Sequence, residues 1–273
     1  MKRTALPITL AVLAMLATLI SACSEDSSDP SARNWRLVWQ DEFDGVKDQL
    51  PDSTKWTYDI GTDWGNAQLE YDTDRPENVS LDGNGNLVIT ARKEAYLGRG
   101  YTSARIVTRG LFERTHGKYE ARIWLPYGRG IWPAFWLLGS DLETVGWPDC
   151  GEIDILEYRG QEVSTVHGTL HGPGYSAAQG VTRRFDLNKD RFDTGFHTFA
   201  IEWSEDSIDW FVDGTRYHSV GPDDVSGEWV FNHPFYIILN VAVGGGWVGS
   251  PDASTVFPQK MLIDWVRVYE EAP

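Results

Sequence analysis

Residues 151–160 read GEIDILEYRG, a mainly apolar run that carries three carboxylic acids. In a regular β-strand the side chains alternate between two faces, so Glu152 and Asp154 would share one face and Glu157 would point to the other. Carboxylates resist burial unless they are paired or used in chemistry. The run therefore predicts a strand whose acids serve a purpose, and it leaves open why one of them is out of phase.

A β-bulge at Ile155-Leu156 would return all three acids to one face, because one extra residue restores the alternation. Cleavage of a glycosidic bond with retention requires a general acid and a nucleophile about 5–5.5 Å apart. A carboxylate between them could hydrogen-bond the nucleophile and raise the pKa of the neighbouring acid. The spacing thus suits glycoside hydrolysis, although an exposed, charged edge strand would explain it equally well.

The remaining chain has the pattern of short strands separated by turns. SIDWFVDGTRYH, at 207–218, places two strand-like runs around Asp213-Gly214, a strong hairpin signal. KMLIDWVRVYEE, at 260–271, is apolar on both faces and predicts a strand covered on both sides. No Pro- or Ser-rich linker divides residues 35–270. The sequence therefore predicts an all-β fold, a sandwich of two antiparallel sheets with one outer face available as a groove.

GEIDILEYRG resembles the E-x-D-x-x-E motif of glycoside hydrolase family 16 in its bulged form. Ten further stretches resemble, in order, the laminarinase-like members of that family: VWQDEFDG, WGNAQLEYDTDRPENV, YTSARI, KYEARIWLP, WPAFWLLG, VHGTLHGPGYS, FHTFAIEW, FVDG, ILNVAVGGGWVGSPD and VFPQKMLIDWVRVY. The resemblance implies a β-jelly-roll sandwich of two curved antiparallel sheets over residues 35–273, with a substrate cleft on the concave sheet.

The resemblance also implies retaining endo-hydrolysis of β-1,3-glucan of the laminarin type, with mixed β-1,3/1,4-glucan left open. Matched to the motif, Glu152 is the nucleophile, Asp154 its helper and Glu157 the acid/base, with no cofactor for catalysis. Two alternatives remain. A non-catalytic β-glucan-binding protein of this fold would lack the catalytic glutamates, and a galactan hydrolase of the agarase or carrageenase type would lack the laminarinase-like context.

Other cleft residues follow from the needs of a sugar, whose rings have apolar C–H faces that lie on aromatic side chains and hydroxyl edges that need polar partners. The candidate platforms are Trp132, Trp136 and Trp247, and the polar partners matched to the family pattern are Asn66, Arg105 and His171. With 13 Trp in the chain, core packing is the alternative for each tryptophan. The family often has N-N-E where this chain has Asn66-Ala67-Gln68, a departure that bears on the outer minus-side contacts.

A structural calcium ion is a further implication of the resemblance. Glu42 in DEFDG and Asp264 in LIDWVRVY match acidic positions that the family uses for an ion on the convex face, together with a loop carbonyl near Gly85. Oxygen ligands of this kind suit Ca²⁺. The alternative is that Asp264, which lies in an apolar row, pairs with a backbone amide or a cation.

The N-terminal segment has the layout of an export signal. Lys2 and Arg3 precede an apolar run that ends in Ile20-Ser21-Ala22-Cys23. Small residues directly before Cys23 resemble the lipobox of bacterial lipoproteins, so residues 1–22 are expected to be removed and Cys23 lipidated. Residues 23–34 then form a polar tether. We expect an exported lipoprotein at the outer membrane or cell surface; a plain signal peptide or an uncleaved anchor helix is the alternative.

The net charge limits the classes of molecule that the protein can bind, and the cysteine count limits its disulfides. The formal net charge is −16, and it becomes −18 when residues 1–22, with two cations and no acids, are removed. Such a surface repels nucleic acid and anionic membranes, so a neutral polysaccharide is the expected partner of a monomer. With Cys23 in the lipobox, Cys150 has no partner for a disulfide. It is expected to be a small buried hydrophobic residue rather than a nucleophile.

Overall fold

The computed structural model describes Met1 and residues 33–273. The predicted signal segment after Met1, the lipidation residue Cys23 and the predicted tether up to residue 32 lie outside the described residues. Residues Asn34–Pro273 form one compact unit. Among the described residues, none of the helices has the length and apolar character needed to cross a membrane.

Strands dominate this unit, and eighteen of them occur among the described residues. In chain order they are β1 Trp35–Asp41, β2 Thr57–Tyr58, β3 Glu70–Asp72, β4 Val79–Leu81, β5 Leu87–Tyr96, β6 Arg99–Ser103, β7 Arg105–Val107, β8 Glu113–Arg114, β9 Gly117–Trp124, β10 Ile131–Gly139, β11 Glu152–Tyr158, β12 Thr165–His171, β13 Val181–Asp186, β14 His197–Trp203, β15 Ile208–Val212, β16 Thr215–Val220, β17 Phe235–Val243 and β18 Gln259–Glu271. The short helices are α1 Leu142–Val145 and two 3₁₀ turns, Ala177–Gln179 and Pro222–Asp224.

The strands form two sheets. One has ten strands in the order β16-β15-β14-β9-β18-β5-β6-β3, with β1 beside β18 and β4 beside β5. The other has eight strands in the order β13-β12-β11-β10-β17-β7-β2, with β8 beside β17. The strand pairs are antiparallel except for β3 and β6. The all-β sandwich predicted from the sequence is confirmed.

The inner faces of the two sheets meet in one apolar core. On β10, Phe135 and Leu137 are fully buried in this core, together with Ile153 and Leu156 of β11. Tyr119 of β9 belongs to the same cluster and comes from the ten-stranded sheet. Burying large apolar side chains between facing sheets is the main stabilising contribution in such a sandwich. The outer face of the eight-stranded sheet is thereby left to carry other residues.

The last strand, β18, differs from its sequence prediction. The predicted strand with two covered faces is wrong, because a register shift between Ile263 and Trp265 makes Asp264 an extra residue. This bulge puts Met261 and Ile263 on the buried face together with Val266 and Val268, whereas Leu262 and Arg267 are only half-buried. Apolar residues on both sides of the bulge therefore serve one face, not two.

Candidate active site

A bulge in β11 brings the three acids together on the outer face of the eight-stranded sheet. Asp154 faces Thr169 of β12, and the next paired residue, Glu157, faces His167. Between these two pairs β11 advances by three residues and β12 by two, so β11 contains one extra residue. The same irregularity occurs against β10, where Leu156 and Asp154 face adjacent residues. The bulge predicted at Ile155-Leu156 is confirmed. We call this surface, with Glu152, Asp154 and Glu157 at its centre, the acidic face.

Glu152 is held by an indole and approached by an imidazole. Trp147, in the loop between α1 and β11, donates its Nε1–H to Glu152 Oε2 at 2.8 Å. His171, which faces Glu152 across the β11–β12 pair, has its Nε2 3.9 Å from Glu152 Oε1. The Trp147 indole N–H on Oε2 and the His171 imidazole beside Oε1 both favour the ionised form of Glu152. This arrangement fixes the orientation of the Glu152 carboxyl group on the acidic face.

Glu157 has partners on both neighbouring strands. Trp132 of β10 donates its Nε1–H to Glu157 Oε1 at 3.1 Å. The Thr169 hydroxyl of β12 donates to Glu157 Oε2 at 3.5 Å, a long contact. Trp132 is itself 9% exposed, so its ring also forms part of the surface beside Glu157. Glu157 is thus oriented from two sides while its carboxyl group stays next to the space above the sheet.

Asp154 lies between the two glutamates and is 2% exposed. Its Oδ2 has no hydrogen bond within the protein, although His171 Nε2 lies 3.3 Å away. That distance allows an ion pair with a protonated imidazole, while the orientation falls short of a hydrogen bond. Asp154 therefore has one carboxylate oxygen that is free to accept a hydrogen bond or to form an ion pair with His171.

Burial raises the pKa values of all three acids, and their mutual repulsion raises them further. Burial first and Asp154 second raise the pKa of Glu152 to about 8. Burial and then the charge of Glu152 raise the pKa of Glu157 to about 7. Burial and then Glu157 hold the pKa of Asp154 well above its usual value. The protons belong to the group rather than to one residue, so the acidic face can hold a proton donor at near-neutral pH.

On one side of the acids, Trp136 and Arg105 lie together. The Trp136 indole donates to Asn240 Oδ1 at 2.8 Å, and Trp136 faces Asp154 across the β10–β11 pair. The Arg105 guanidinium lies 4.8 Å from the ring centre of Trp136 and 5.1 Å from that of Trp64. Arg105 Nε donates to Asp59 Oδ2 at 3.0 Å, which fixes the guanidinium. These residues form an aromatic and cationic surface next to Asp154.

Two further buried acids support this side. Glu70 Oε2 accepts the backbone N–H of Val243 at 2.8 Å, and Asp72 Oδ2 accepts the indole N–H of Trp64 at 2.9 Å. Burial raises the pKa of Glu70 to about 7 and that of Asp72 well above its usual value. Both acids are buried; Asp72 positions the Trp64 ring, whereas Glu70 binds the backbone of β17.

On the other side of the acids, Trp247 is enclosed by three neighbours. Its ring centre lies 5.2 Å from that of Trp132 and 5.1 Å from that of His167. The Arg159 guanidinium lies 5.2 Å from the Trp247 ring. Burial, and then the charge of Arg159, lower the pKa of His167, so this imidazole is neutral at pH 7. Trp247 is half-buried and offers an aromatic wall adjoining Glu157.

Asn66 lies at the edge of this surface. Its backbone has a φ of +54°, and its carbonyl accepts the N–H of Gly246 at 2.8 Å. The bond ties the exposed Asn66 loop to the glycine-rich segment that carries Trp247. Of the six predicted sugar-binding residues, Trp132, Trp136, Arg105, His171 and Trp247 surround the acids, and Asn66 lies at the rim.

The predicted calcium ligands are engaged by arginines in the structure. Glu42 accepts two hydrogen bonds from Arg267, at 2.8 and 2.9 Å, and Asp264 pairs with Arg122. Gly85 has a φ of +83°. A cation would have to displace both guanidinium groups, so the residues as arranged do not fit the ion. In residues 33–273, the one cluster of three or more His, Cys, Asp and Glu side chains that could hold a metal is Glu152, Asp154 and His171.

Cys150 is fully buried two residues before Glu152. Burial, and then the charge of Asp141, raise the pKa of its thiol to about 12, so the reactive thiolate is absent at neutral pH. The interpretation of Cys150 as a small buried hydrophobic residue is consistent with this environment.

Sequence reasoning missed three residues of the acidic face. Thr169 could have been found, because it lies two residues before His171 on a short strand and must therefore share its face. Trp64 begins the stretch WGNAQLEYDTDRPENV, but the sequence analysis did not predict it to be an aromatic platform. Trp147 carried no usable signal, because its side chain is brought to Glu152 by a loop, and loop geometry cannot be obtained from strand periodicity.

Comparisons with known proteins agree with this geometry. A family model for glycosyl hydrolases family 16 matches residues 63–267. A beta-glucanase of Rhodothermus marinus is 44% identical over 270 residues, which cover 94% of this chain and 93% of that protein. The laminarinase catalytic domain of Thermotoga maritima has 48% identity and a TM-score of 0.83, covering 88% of this chain and 100% of that chain.

The endo-beta-1,3-glucanase of Pyrococcus furiosus is similar to the same extent, with 49% identity and a TM-score of 0.83, covering 88% of this chain and 96% of that chain. These similarities extend over nearly all of the compact unit and include both sheets. The resemblance stated from the sequence is confirmed, and the chain belongs to glycoside hydrolase family 16.

Proposed function

We propose that this protein hydrolyses β-1,3-glucan within the polymer chain and with retention, with Glu152 as nucleophile and Glu157 as acid/base. The observation that carries the residue assignment is the β11 bulge, which places both glutamates and Asp154 on one face, with tryptophans on each side. The laminarinase and beta-glucanase relatives support the substrate class.

The geometry suggests how each acid acts. In the form of the site that reacts, the proton shared by the acids is on Glu157 and Glu152 is ionised. Glu152 then attacks the anomeric carbon while Glu157 protonates the leaving oxygen, which breaks the glycosidic bond and forms a glycosyl ester on Glu152. Glu157, now ionised, takes a proton from water, and the water oxygen displaces Glu152 from the anomeric carbon. Asp154, next to both, holds or releases a proton as the charges on its neighbours change. Trp147 and His171 stabilise Glu152 when it returns to the carboxylate form.

A neutral glucan also suits the rest of the surface. The tryptophan rings beside the acids offer stacking surfaces for pyranose rings, while the net charge of −16 disfavours a sulfated polymer. Both glutamates are present and oriented, which argues against a non-catalytic β-glucan-binding protein. Mixed β-1,3/1,4-glucan remains a second substrate within this proposal.

The test is the product profile on laminarin, lichenan and agarose, measured side by side with the Glu152→Gln variant as control. Short oligosaccharides from laminarin, absent with the variant, are expected. NMR of the first products should show the β-anomer. Reducing ends that appear only on agarose would contradict the substrate class. An initial α-anomer would contradict retention and require a carboxyl gap of about 6.5–9.5 Å.

We further propose that the protein is exported and anchored in the membrane through a lipid on Cys23. The lipobox-like Ile20-Ser21-Ala22-Cys23 after an apolar run supports this. Cys23→Ser should release the protein from the membrane fraction or leave an unprocessed precursor, whereas Cys150→Ser serves as the control and should change neither. Unchanged membrane association of Cys23→Ser would contradict the proposal.

A monomeric state completes the proposal, and the calcium ion implied by the resemblance, against which the arginine pairs of Glu42 and Asp264 argue, is tested beside it. If Ca²⁺ binds at Glu42 and Asp264, a chelator should lower the melting temperature, because an ion that binds the folded state stabilises it. If the arginines serve in its place, the chelator has no effect and Arg267→Ala lowers the melting temperature by itself. Sedimentation of residues 24–273 should give the mass of one chain; a dimer would contradict the monomer.

A further inference from the structure

The catalytic bulge of β11 lies opposite a second bulge on the other sheet. In the β15–β16 pair, Trp210 faces His218 and the next residue, Phe211, faces Arg216, so Tyr217 is an extra residue. As a result, Tyr217 and His218 are both half-buried, whereas Arg216 is exposed. The two bulges belong to strands that are far apart in sequence and in different sheets.

Trp210 connects these two bulges through the core. It is fully buried, and its indole Nε1 donates a hydrogen bond of 2.8 Å to the backbone carbonyl oxygen of Asp154. That carbonyl belongs to the peptide group that joins Asp154 to Ile155, where the extra residue begins. A bulge interrupts the regular ladder of hydrogen bonds, and a buried carbonyl group needs a donor. The indole of Trp210 supplies one from the opposite sheet.

The surroundings leave room for the indole in this position and hold it there. A Cβ on Gly168 of β12 would lie 2.6 Å from Trp210 Cδ1 and 2.5 Å from the Tyr217 hydroxyl oxygen, so a side chain at 168 is incompatible with both rings. On its other side, the Trp210 ring stacks on His218, with centroids 4.7 Å apart and planes at 29°. Close packing in a buried site restricts the indole to one orientation.

We propose that Trp210 is a positioning residue for hydrolysis, which holds the Asp154–Ile155 peptide group and so keeps Glu152 and Glu157 on one face at a working distance. The inference rests on the proposed function, because it concerns the same two glutamates. Trp210 itself lies on the core side of the sheet and touches neither the substrate nor the acids' side chains. Its effect on catalysis would therefore pass entirely through the backbone of β11.

The chain offers a matched control in Trp203. This residue is 1% exposed, lies on β14 of the same sheet, and donates its indole N–H to a backbone carbonyl, that of Phe231, at 3.0 Å. Trp203→Phe and Trp210→Phe therefore remove the same kind of buried hydrogen bond and a similar volume. Only the second removes a bond to the catalytic strand.

The experiment compares kcat, KM and melting temperature of both variants on laminarin. Trp210→Phe should lower kcat by about tenfold to a hundredfold, since displacement of reacting groups by 1 Å can cost about 100-fold. KM should stay within about twofold, because the tryptophans that stack on the sugar are untouched. Trp203→Phe should lower the melting temperature similarly and leave kcat within about twofold. A loss of kcat in both variants, or in neither, would overturn the proposal.

A second readout does not depend on activity. Hydrogen exchange of the backbone amides of residues 152–158 should become faster in Trp210→Phe than in Trp203→Phe, because only the former frees the bulge. Equal exchange in the two variants would also overturn the proposal. Wild-type protein that leaves laminarin intact would contradict the proposed function, and the exchange measurement would still test the role of Trp210.

A less disruptive variant covers the case in which Trp210→Phe does not fold. The benzothienyl isostere of tryptophan at position 210 has sulfur in place of the N–H and keeps the ring volume. It should reproduce the loss of kcat with little change in KM. Wild-type kcat in this isostere would show that the hydrogen bond does not position the glutamates.

Discussion

At the scale of single residues, the roles of Glu152 and Glu157 can be separated by adding an external nucleophile. Glu152→Ala should reduce hydrolysis to background, and azide entering the vacated space should give a glycosyl azide of inverted configuration. Glu157→Ala should lose about 10²- to 10⁴-fold in rate on laminarin, the usual contribution of a general acid. It should keep activity on an aryl glycoside with a good leaving group, where azide gives a product of retained configuration.

Asp154→Asn belongs to the same series and should be slow rather than inactive, because it retains a polar group beside the nucleophile. NMR of the azide products checks both assignments. The same configuration from both alanine variants would contradict the division of roles. Exchanged outcomes, with inversion from Glu157→Ala, would mean that the nucleophile is Glu157.

The raised pKa of Glu152 also makes a prediction about stability. Its pKa is about 8 in the folded protein against an ordinary value of 4.5, so the folded state keeps a proton that the unfolded chain loses. This contribution to stability is complete below about pH 4.5 and is lost as the pH rises through about 8. The glutamine in Glu152→Gln cannot ionise, so this variant does not lose stability in the same way as the pH rises.

The melting temperatures of wild type and Glu152→Gln should therefore diverge between about pH 5 and pH 8, with the variant more stable at the alkaline end. The difference should grow on the order of 1 kcal/mol per pH unit. A matched measurement on Glu202→Gln controls for loss of a charge, because Glu202 lies on β14 of the other sheet. Parallel curves for wild type and Glu152→Gln would contradict the pKa assignment.

How far the sequence could predict the site depends on the residue. Glu152, Asp154 and Glu157 could be predicted because their spacing conflicts with regular alternation and matches a known motif. Trp147 could not, because an indole 46% exposed on a loop becomes functional only through the loop's path. The face on which a strand residue lies can be predicted from the alternation of side chains, whereas the position of a loop residue depends on tertiary contacts.

At the scale of elements, the approach of β10 to the start of β11 depends on Gly139. A Cβ at this position would lie 1.9 Å from the backbone carbonyl oxygen of Cys150, the residue two places before Glu152. Gly139→Ala must therefore push the two chains apart. We expect a loss of about 1–3 kcal/mol in the free energy of unfolding, together with a lower kcat as Glu152 is displaced.

Gly100 on β6 is the control for this substitution. It also lies within a strand, and a Cβ there would meet no atom within 4 Å. Gly100→Ala should leave both unfolding and kcat nearly unchanged. Denaturant titration and kinetics on laminarin measure both quantities. A Gly139→Ala variant as stable and active as Gly100→Ala would contradict the account of this junction.

Strands β11 and β18 show why one bulge was predicted from the sequence and another was not. In β11, charged residues marked the face, so a change of phase was visible in the sequence. In β18, apolar residues occur on both sides of Asp264, and nothing in the pattern reveals which residue is extra. A bulge can be inferred from a sequence only where the two faces differ in polarity.

At the scale of the whole molecule, the acidic surface predicts how activity responds to salt. A neutral glucan gains no electrostatic steering from a protein of net charge −16. The kcat/KM of the protein on laminarin should change less than about twofold between 0.01 M and 1 M salt, although the Debye length falls from about 30 Å to about 3 Å. Binding of carrageenan, the sulfated comparison polymer, should instead strengthen with salt as repulsion is screened. A strong salt dependence on laminarin would contradict a neutral substrate.

The fold of the whole domain was predictable because many short stretches agreed in order, so an error in one strand did not change the topology. The calcium set was less predictable. Acids matched by position can be engaged by arginines, as Glu42 and Asp264 are, and a sequence does not show which cation lies nearest. Charges distant along the chain meet only through the register of the sheets.

The strand order of the eight-stranded sheet has a consequence for how the enzyme would lose function under stress. Every residue of β17 is buried, whereas β13, at one edge, is mostly exposed, and β11 lies only two strands in from that edge. Regions with little buried surface open at lower free energy than the centre of a domain. Inactivation in urea should therefore precede the main unfolding transition, because fraying from β13 through β12 removes His171 and Thr169 first. The enzyme would fail as a catalyst while most of its core is still intact.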